Sequence, residues 1–169
     1  MEFKQAVQQL KAQGEAILTL GSGFNLEEAR WKPDETSWSV LEVVNHLVDE
    51  EALDFRQHLD HILFTPQEPW PSIDPEGWVT EKRYNQRQLG ESLENFRAER
   101  GHSLVYLEEL MPPDWTASIS MPWGSLSAGD MLMSWVAHDI LHLRQLIELR
   151  YALTQARCQP FEVAYAGRW

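Results

Sequence analysis

Two histidines, His138 and His142, stand four residues apart in the run Trp135-Val136-Ala137-His138-Asp139-Ile140-Leu141-His142-Leu143-Arg144-Gln145. That spacing is close to one helical turn, so both imidazoles project from one face, the way a helix offers two nitrogen ligands to one metal ion. A third donor has to come from elsewhere in the chain. His46 is the best candidate, because it lies in a second amphipathic stretch with Asp49 and Glu50 about one turn further on. Convergence of the three would give a three-histidine site with open coordination positions, the arrangement of catalytic rather than structural zinc and of related divalent metals.

Met131, Trp135, His138, His142, Gln145 and Leu149 recur at steps of three and four, which sets the histidine pair in an apolar stripe. A buried imidazole without partners loses about 1 to 3 kcal/mol for each unsatisfied group, so something must occupy these nitrogens. A metal ion does so, and so would neighbouring side chains or carbonyls; the pair alone leaves both open. Around His46, the face Val43, His46, Leu47, Glu50 and Asp54 begins apolar and becomes acidic. Glu50 is placed near the site, as a candidate proton acceptor, and Asp49 reads as a solvated helix charge. His58 and His61 have polar neighbours close to a helix end, where a positive ring suits the dipole, and read as surface residues. His102 follows Gly101 in a charged stretch and reads as structural or exposed. Cys158 reads as an ordinary thiol of the tail. There is no nucleophile elbow, phosphate-cradling loop or cysteine pair. No glutamate stands three residues before His46, His138 or His142, which favours one metal ion over a di-iron bundle.

The elements that must position these residues are helical. The apolar stripe Phe3, Val7, Leu10, Ile17, Leu20 predicts a first helix from about Phe3 to Leu20, ended by Gly21-Ser22-Gly23, with a loop to follow. Ser39-Val40-Leu41-Glu42 is a capping box that opens a second helix running to about Phe64. Pro66, Pro69, Pro71 and Pro75 predict an irregular connection over Thr65 to Val79, long enough for a crossover between the second and third helices. The third helix lies within Thr80 to Met111, with a break near Gly90, and stops before Pro112-Pro113. Ser127-Ala128-Gly129-Asp130 caps a fourth helix to about Leu153, after which the tail to Trp169 reads as extended. No stretch alternates convincingly as a strand. The reading is an all-α four-helix bundle in one domain over residues 1–169, a usual place for inward-facing metal ligands.

Composition bounds the partners. The net charge of -12, with basic residues scattered along the chain, would repel a phosphate backbone and argues against nucleic acid. No apolar run approaches the roughly 20 residues that span a bilayer, and the single cysteine with no signal segment predicts a cytoplasmic protein. The eight tryptophans fall mostly outside helix centres and suggest loops packed on a small bundle, with an aromatic-walled cleft as the other use of them. The expected partner is a small-molecule substrate, and a homodimer stays open.

Trp38-Ser39 at the start of the second helix, Asn45-His46-Leu47 with acidic residues a turn later, and the run from His138 to Gln145 together resemble the DinB/YfiT-like superfamily. The resemblance covers nearly the whole chain. It implies a four-helix bundle with one divalent metal held by His46, His138 and His142, zinc or nickel first, with iron, cobalt or manganese as further choices. It also implies the chemistry of members that use low-molecular-weight thiols: metal-dependent transfer of bacillithiol and mycothiol-dependent isomerisation. The name of the group refers to induction by DNA damage and implies no DNA binding. On this basis the expected function is metal-dependent transfer of a low-molecular-weight thiol to a small electrophile. The alternatives are a metal-dependent hydrolase, with Glu50 taking a proton from water, and a stress-related bundle whose metal is structural.

Overall fold

The computed structural model describes residues 2–110 and 113–167. Helix α1 (Phe3–Ser22) is followed by the short α2 (Leu26–Arg30), which starts at an Asn25–Glu28 capping box inside the expected loop. Ser39 and Glu42 form the predicted capping box, and α3 (Val40–Glu50) continues through a π-helical turn (Glu51–Arg56) into α4 (Gln57–Phe64). The predicted second helix is thus one rod with a wider i→i+5 turn at its middle.

Three expectations about the connections are corrected. The proline-rich segment contains α5 (Pro75–Glu81): Asp74 caps the Gly77 amide, and Pro75 at the first helical position has the φ a helix needs and no amide proton to lose. The break expected near Gly90 lies before it, at a left-handed Arg83 (φ 51°) and a 3₁₀ turn (Tyr84–Gln86), so that α6 (Leu89–Glu109) contains Gly90. Between α6 and the last helix stands a two-stranded antiparallel hairpin, β1 (Ser118–Met121) and β2 (Gly124–Ser127), where no strand was expected. It is too short for alternation to register, and its Ile119 and Leu126, paired across the strands, pack onto the core. Gly124 closes the turn at φ +143°, which L residues avoid. Helix α7 (Ala128–Arg157) starts at the predicted Ser127–Asp130 box and runs one turn past Leu153. The readings at Met111, Pro112 and Trp169 lie outside the described residues.

Helix α1 packs on α6 and α7, α3 packs on α6, and α4 packs on α7. The apolar core is divided into two clusters. One gathers around Ile17, Leu41, Val44, Leu47, Phe96 and Leu146, the other around Leu10, Phe55, Leu59, Leu107, Leu132 and Trp135. Buried charge lies on residues between them in sequence. Arg100 of α6 donates to Glu51 Oε1 (2.6 Å from Nη2), to both oxygens of Asp139 (2.7 and 2.8 Å) and to the Leu10 carbonyl (2.5 Å). Gly14 leaves room for it: a Cβ there would stand 3.1 Å from Arg100 Cγ. Glu51 also accepts from Trp135 Nε1 at 3.2 Å. Burial disfavours the Arg100 charge, but Glu51 and Asp139 outweigh that and hold it firmly protonated. No helix among the described residues is long and apolar enough to cross a membrane.

Candidate metal centre

The consecutive pairs Glu50-Glu51 and His138-Asp139 divide their side chains between two tasks. Glu51 and Asp139 turn inward to Arg100, while Glu50 and His138 line a cleft of about 650 Å³ beside the bundle. Tying Glu51 and Asp139 to one guanidinium fixes the helix before the π turn against α7, and with it the register of His46 against His138 and His142.

The three histidines meet. His46 Nε2 is 3.1 Å from His142 Nε2 and 3.4 Å from His138 Nε2, and the last two are 3.1 Å apart. Three imidazole nitrogens in so tight a triangle cannot satisfy one another with hydrogen bonds. Nitrogens about 2.0 to 2.1 Å from a common tetrahedral centre would be separated by about 3.3 Å, so the triangle matches what one small divalent ion requires. His142 Nδ1 stands 2.8 Å from Gln145 Oε1, which must accept, so the Nδ1 proton is fixed and the Nε2 lone pair is free. The Nδ1 atoms of His46 and His138 are buried without hydrogen-bond partners, and Glu50 Oε1 lies 3.8 Å from His46 Nδ1.

The rings are held by aromatic neighbours. Trp38 meets His46 edge-on at 4.9 Å and lies parallel to His142 at 6.4 Å, and Phe55 packs at 5.1 Å from His138 and stacks on Trp135. Burial, together with the other two rings, depresses His46 to a pKa of about 2. Burial and His142 depress His138 to about 3, and burial lowers His142. All three are therefore neutral at physiological pH, the form that ligates metal. The donors fit a divalent ion in number, type, spacing and protonation.

Glu50 is buried, with Oε2 at 3.8 Å from His138 Nε2. Burial raises its pKa to about 9, helped by Asp54 as hydrogen-bond partner and by the charges of Asp54, Asp49 and Glu51. The sequence reading placed it near the site, and the structure does so. Three other readings need correction. Asp49 is not a solvated charge: it accepts from the Tyr84 hydroxyl and pairs with Lys82 at 3.0 Å, which ties α3 to the segment before α6. His58 and His61 are not surface residues: their exposures are 2% and 5%. They face Trp70, which the proline-rich segment brings back across α4, a contact that helix-end position and polar neighbours could not foretell. His102 is exposed, as expected. Sequence reasoning missed Trp38, Phe55 and Asp54 as lining residues and the Arg100 cluster that sets the register. Asp54, four residues past Glu50, carried a signal, as did Trp38 among the tryptophans that an aromatic-walled cleft would use.

A second cavity of about 520 Å³, bounded by Pro33, Thr36 and Ser37 on one side and Leu149 and Ala152 on the other, shares Trp38, His142 and Gln145 with the cleft. The tryptophan at the corner serves both as packing and as an aromatic wall.

Comparisons with known proteins agree with this architecture. YfiT from Bacillus subtilis, described as a probable metal-dependent hydrolase with an unusual four-helix bundle topology, superposes with a TM-score of 0.77 at 16% identity, covering 90% of this chain and 87% of its own. A variant of the mycothiol-dependent maleylpyruvate isomerase superposes with a TM-score of 0.68 at 13% identity, over 86% of this chain and 61% of its own. At these identities the likeness is one of fold. A search of curated protein sequences finds no match to the chain. The sequence pattern of the DinB superfamily matches residues 9–146, a span that takes in His46, His138 and His142, and the chain therefore belongs to the DinB superfamily.

Proposed function

We propose that His46, His138 and His142 bind one divalent metal ion and that the site joins a low-molecular-weight thiol to a small electrophile. The observation that carries this reading is that two cavities share His142 with Trp38 and Gln145, which gives a nucleophile and an acceptor separate approaches to that histidine. When bound, a divalent ion there supplies a Lewis acid that lowers the pKa of a coordinated thiol toward neutrality. The chain supplies the rest. Three imidazoles leave coordination positions open toward the cleft, and Gln145 keeps His142 in the ligating tautomer. Trp38 and Phe55 narrow the space around the rings. Glu50, with Oε2 3.8 Å from His138 Nε2, would take the proton the thiol loses and pass it to the acceptor as a C–S bond forms and the displaced electron pair moves onto the acceptor or its leaving group. The mycothiol dependence of the maleylpyruvate isomerase that shares the fold supports this reading.

A carboxyl beside His138 also suits hydrolysis, in which Glu50 as the carboxylate would take a proton from water; hydrolysis is the activity ascribed to YfiT, and this is the second reading. The test is conjugation of bacillithiol, mycothiol, glutathione and coenzyme A to 1-chloro-2,4-dinitrobenzene and to an α,β-unsaturated ketone, by zinc- and nickel-loaded protein. The expected result is an adduct with at least one thiol that ceases on chelation. Thiol-independent, chelator-sensitive ester cleavage without any adduct would replace transfer by hydrolysis, and neither activity in the loaded protein would leave a structural metal.

A further inference from the structure

His58 faces two acceptors at once. Its Nδ1 lies 2.5 Å from Asp54 Oδ1, and its Nε2 lies 3.0 Å from the carbonyl oxygen of Pro71. A carbonyl oxygen only accepts, so Nε2 must carry a proton. An ionised carboxylate only accepts as well, so the proton between Asp54 Oδ1 and His58 Nδ1 belongs to the ring. Both nitrogens of His58 then need protons, and only the imidazolium has them. The ring is 2% exposed, stacked on the Trp70 indole at 4.0 Å with planes 2° apart. A charge so buried persists only when it is paired, and Asp54 is the partner. His61, edge-on to Trp70, is the other titratable ring of this contact, and beyond Asp54 stand Glu50 and His138.

We propose that His58 is a positioning residue for the cleft: as an imidazolium it orients the Asp54 carboxylate on the helix side and pins Pro71, where the outer wall begins. That wall is made of Ile73, Asp74, Pro75 and Glu76, which line the cleft together with Asp54. A single cation thus joins the two walls. The π turn contributes, since its wider pitch keeps Asp54 on the cleft face between Glu50 and His58. The inference rests on these contacts and holds whichever chemistry the cleft performs.

The first test is the protonation of the ring in the wild-type full chain, read from long-range ¹H–¹⁵N spectra at pH 7, with His58 assigned by its loss in His58→Gln. Protons on both nitrogens are expected. An unprotonated Nδ1 would overturn the proposal. The second test is amide exchange over residues 65–76. His58→Gln, which cannot reach both acceptors with a charge between them, is expected to speed exchange there about tenfold or more. His58→Arg, planar, permanently charged, able to stack on Trp70 and to donate in two directions, is expected to restore protection. Equal protection in wild type and His58→Gln, or no recovery in His58→Arg, would overturn the positioning role.

Discussion

The side chains of the centre disagree about pH, and the disagreement is measurable. His46 and His138 have pKa values of about 2 and 3 in the fold and 6.5 outside it, and His142 is lowered in the same sense. Below pH 6.5 the unfolded chain therefore takes up protons that the fold refuses, and stability falls as pH drops from there toward 3. Glu50 has the opposite sign: its pKa of about 9 in the fold against 4.5 outside makes its contribution complete below pH 4.5 and lost progressively as pH rises toward 9. Two histidines outweigh one carboxyl below the histidine range, so metal-free protein should be most stable at about pH 6.5. Glu50→Gln, neutral at every pH, should raise the melting temperature of metal-free protein at pH 8 by about 3 °C or more and change little at pH 4.5; a fall at pH 8 would show that the carboxylate is stabilising there. If the metal-loaded protein carries out the proposed transfer, the same substitution should lower turnover about a hundredfold while metal content is kept.

Helices bring this chemistry together, and one ionic cluster fixes how they meet. Arg100 joins α6 to Glu51, where the π turn begins, and to Asp139 on α7, while Arg56, which ends that turn, pairs with Glu99 at 2.5 Å. Both ends of the turn are thus held by α6. Arg100→Met should leave two buried carboxylates without a cation and cost about 3 to 5 kcal/mol, roughly 10 °C in melting temperature, whereas the triple variant with Glu51→Gln and Asp139→Asn should recover much of the loss. Equal melting temperatures for Arg100→Met and wild type, read by calorimetry, would remove the cluster from the account. None of this was legible in the sequence, because Arg100 sits on a helix rich in glutamate and arginine and its partners are 39 and 49 residues away. The rods themselves were legible: the Ser39–Glu42 and Ser127–Asp130 boxes are local and act through the backbone of one turn. So was the convergence of the three histidines, since two share a helix face and the resemblance to the DinB/YfiT-like superfamily adds His46 as the third. The π turn was hidden by apolar spacings of three and four that an ordinary helix also shows. His58 was misread because its surroundings are made by Trp70 and Pro71, which only the folded connection supplies.

At the scale of the molecule, the three histidines come from two helices far apart in the chain, so a metal that binds them only in the folded state should stabilise the whole bundle by mass action. Chelation should lower the melting temperature of the wild type. His46→Ala, His138→Ala and His142→Ala should each abolish that sensitivity, while His58→Ala and His61→Ala, although buried and destabilising, should retain it. Equal sensitivity in all five variants would place the metal elsewhere. The cleft is lined by all three imidazoles, and the second cavity meets it at Trp38, His142 and Gln145. The most direct test of the metal centre is titration of metal-free protein with cobalt(II), followed by visible absorption. The account predicts intense bands of low-coordinate cobalt that saturate at about one equivalent per chain and vanish in His142→Ala. A spectrum no stronger than that of cobalt in water, or one unchanged by that substitution, would contradict it.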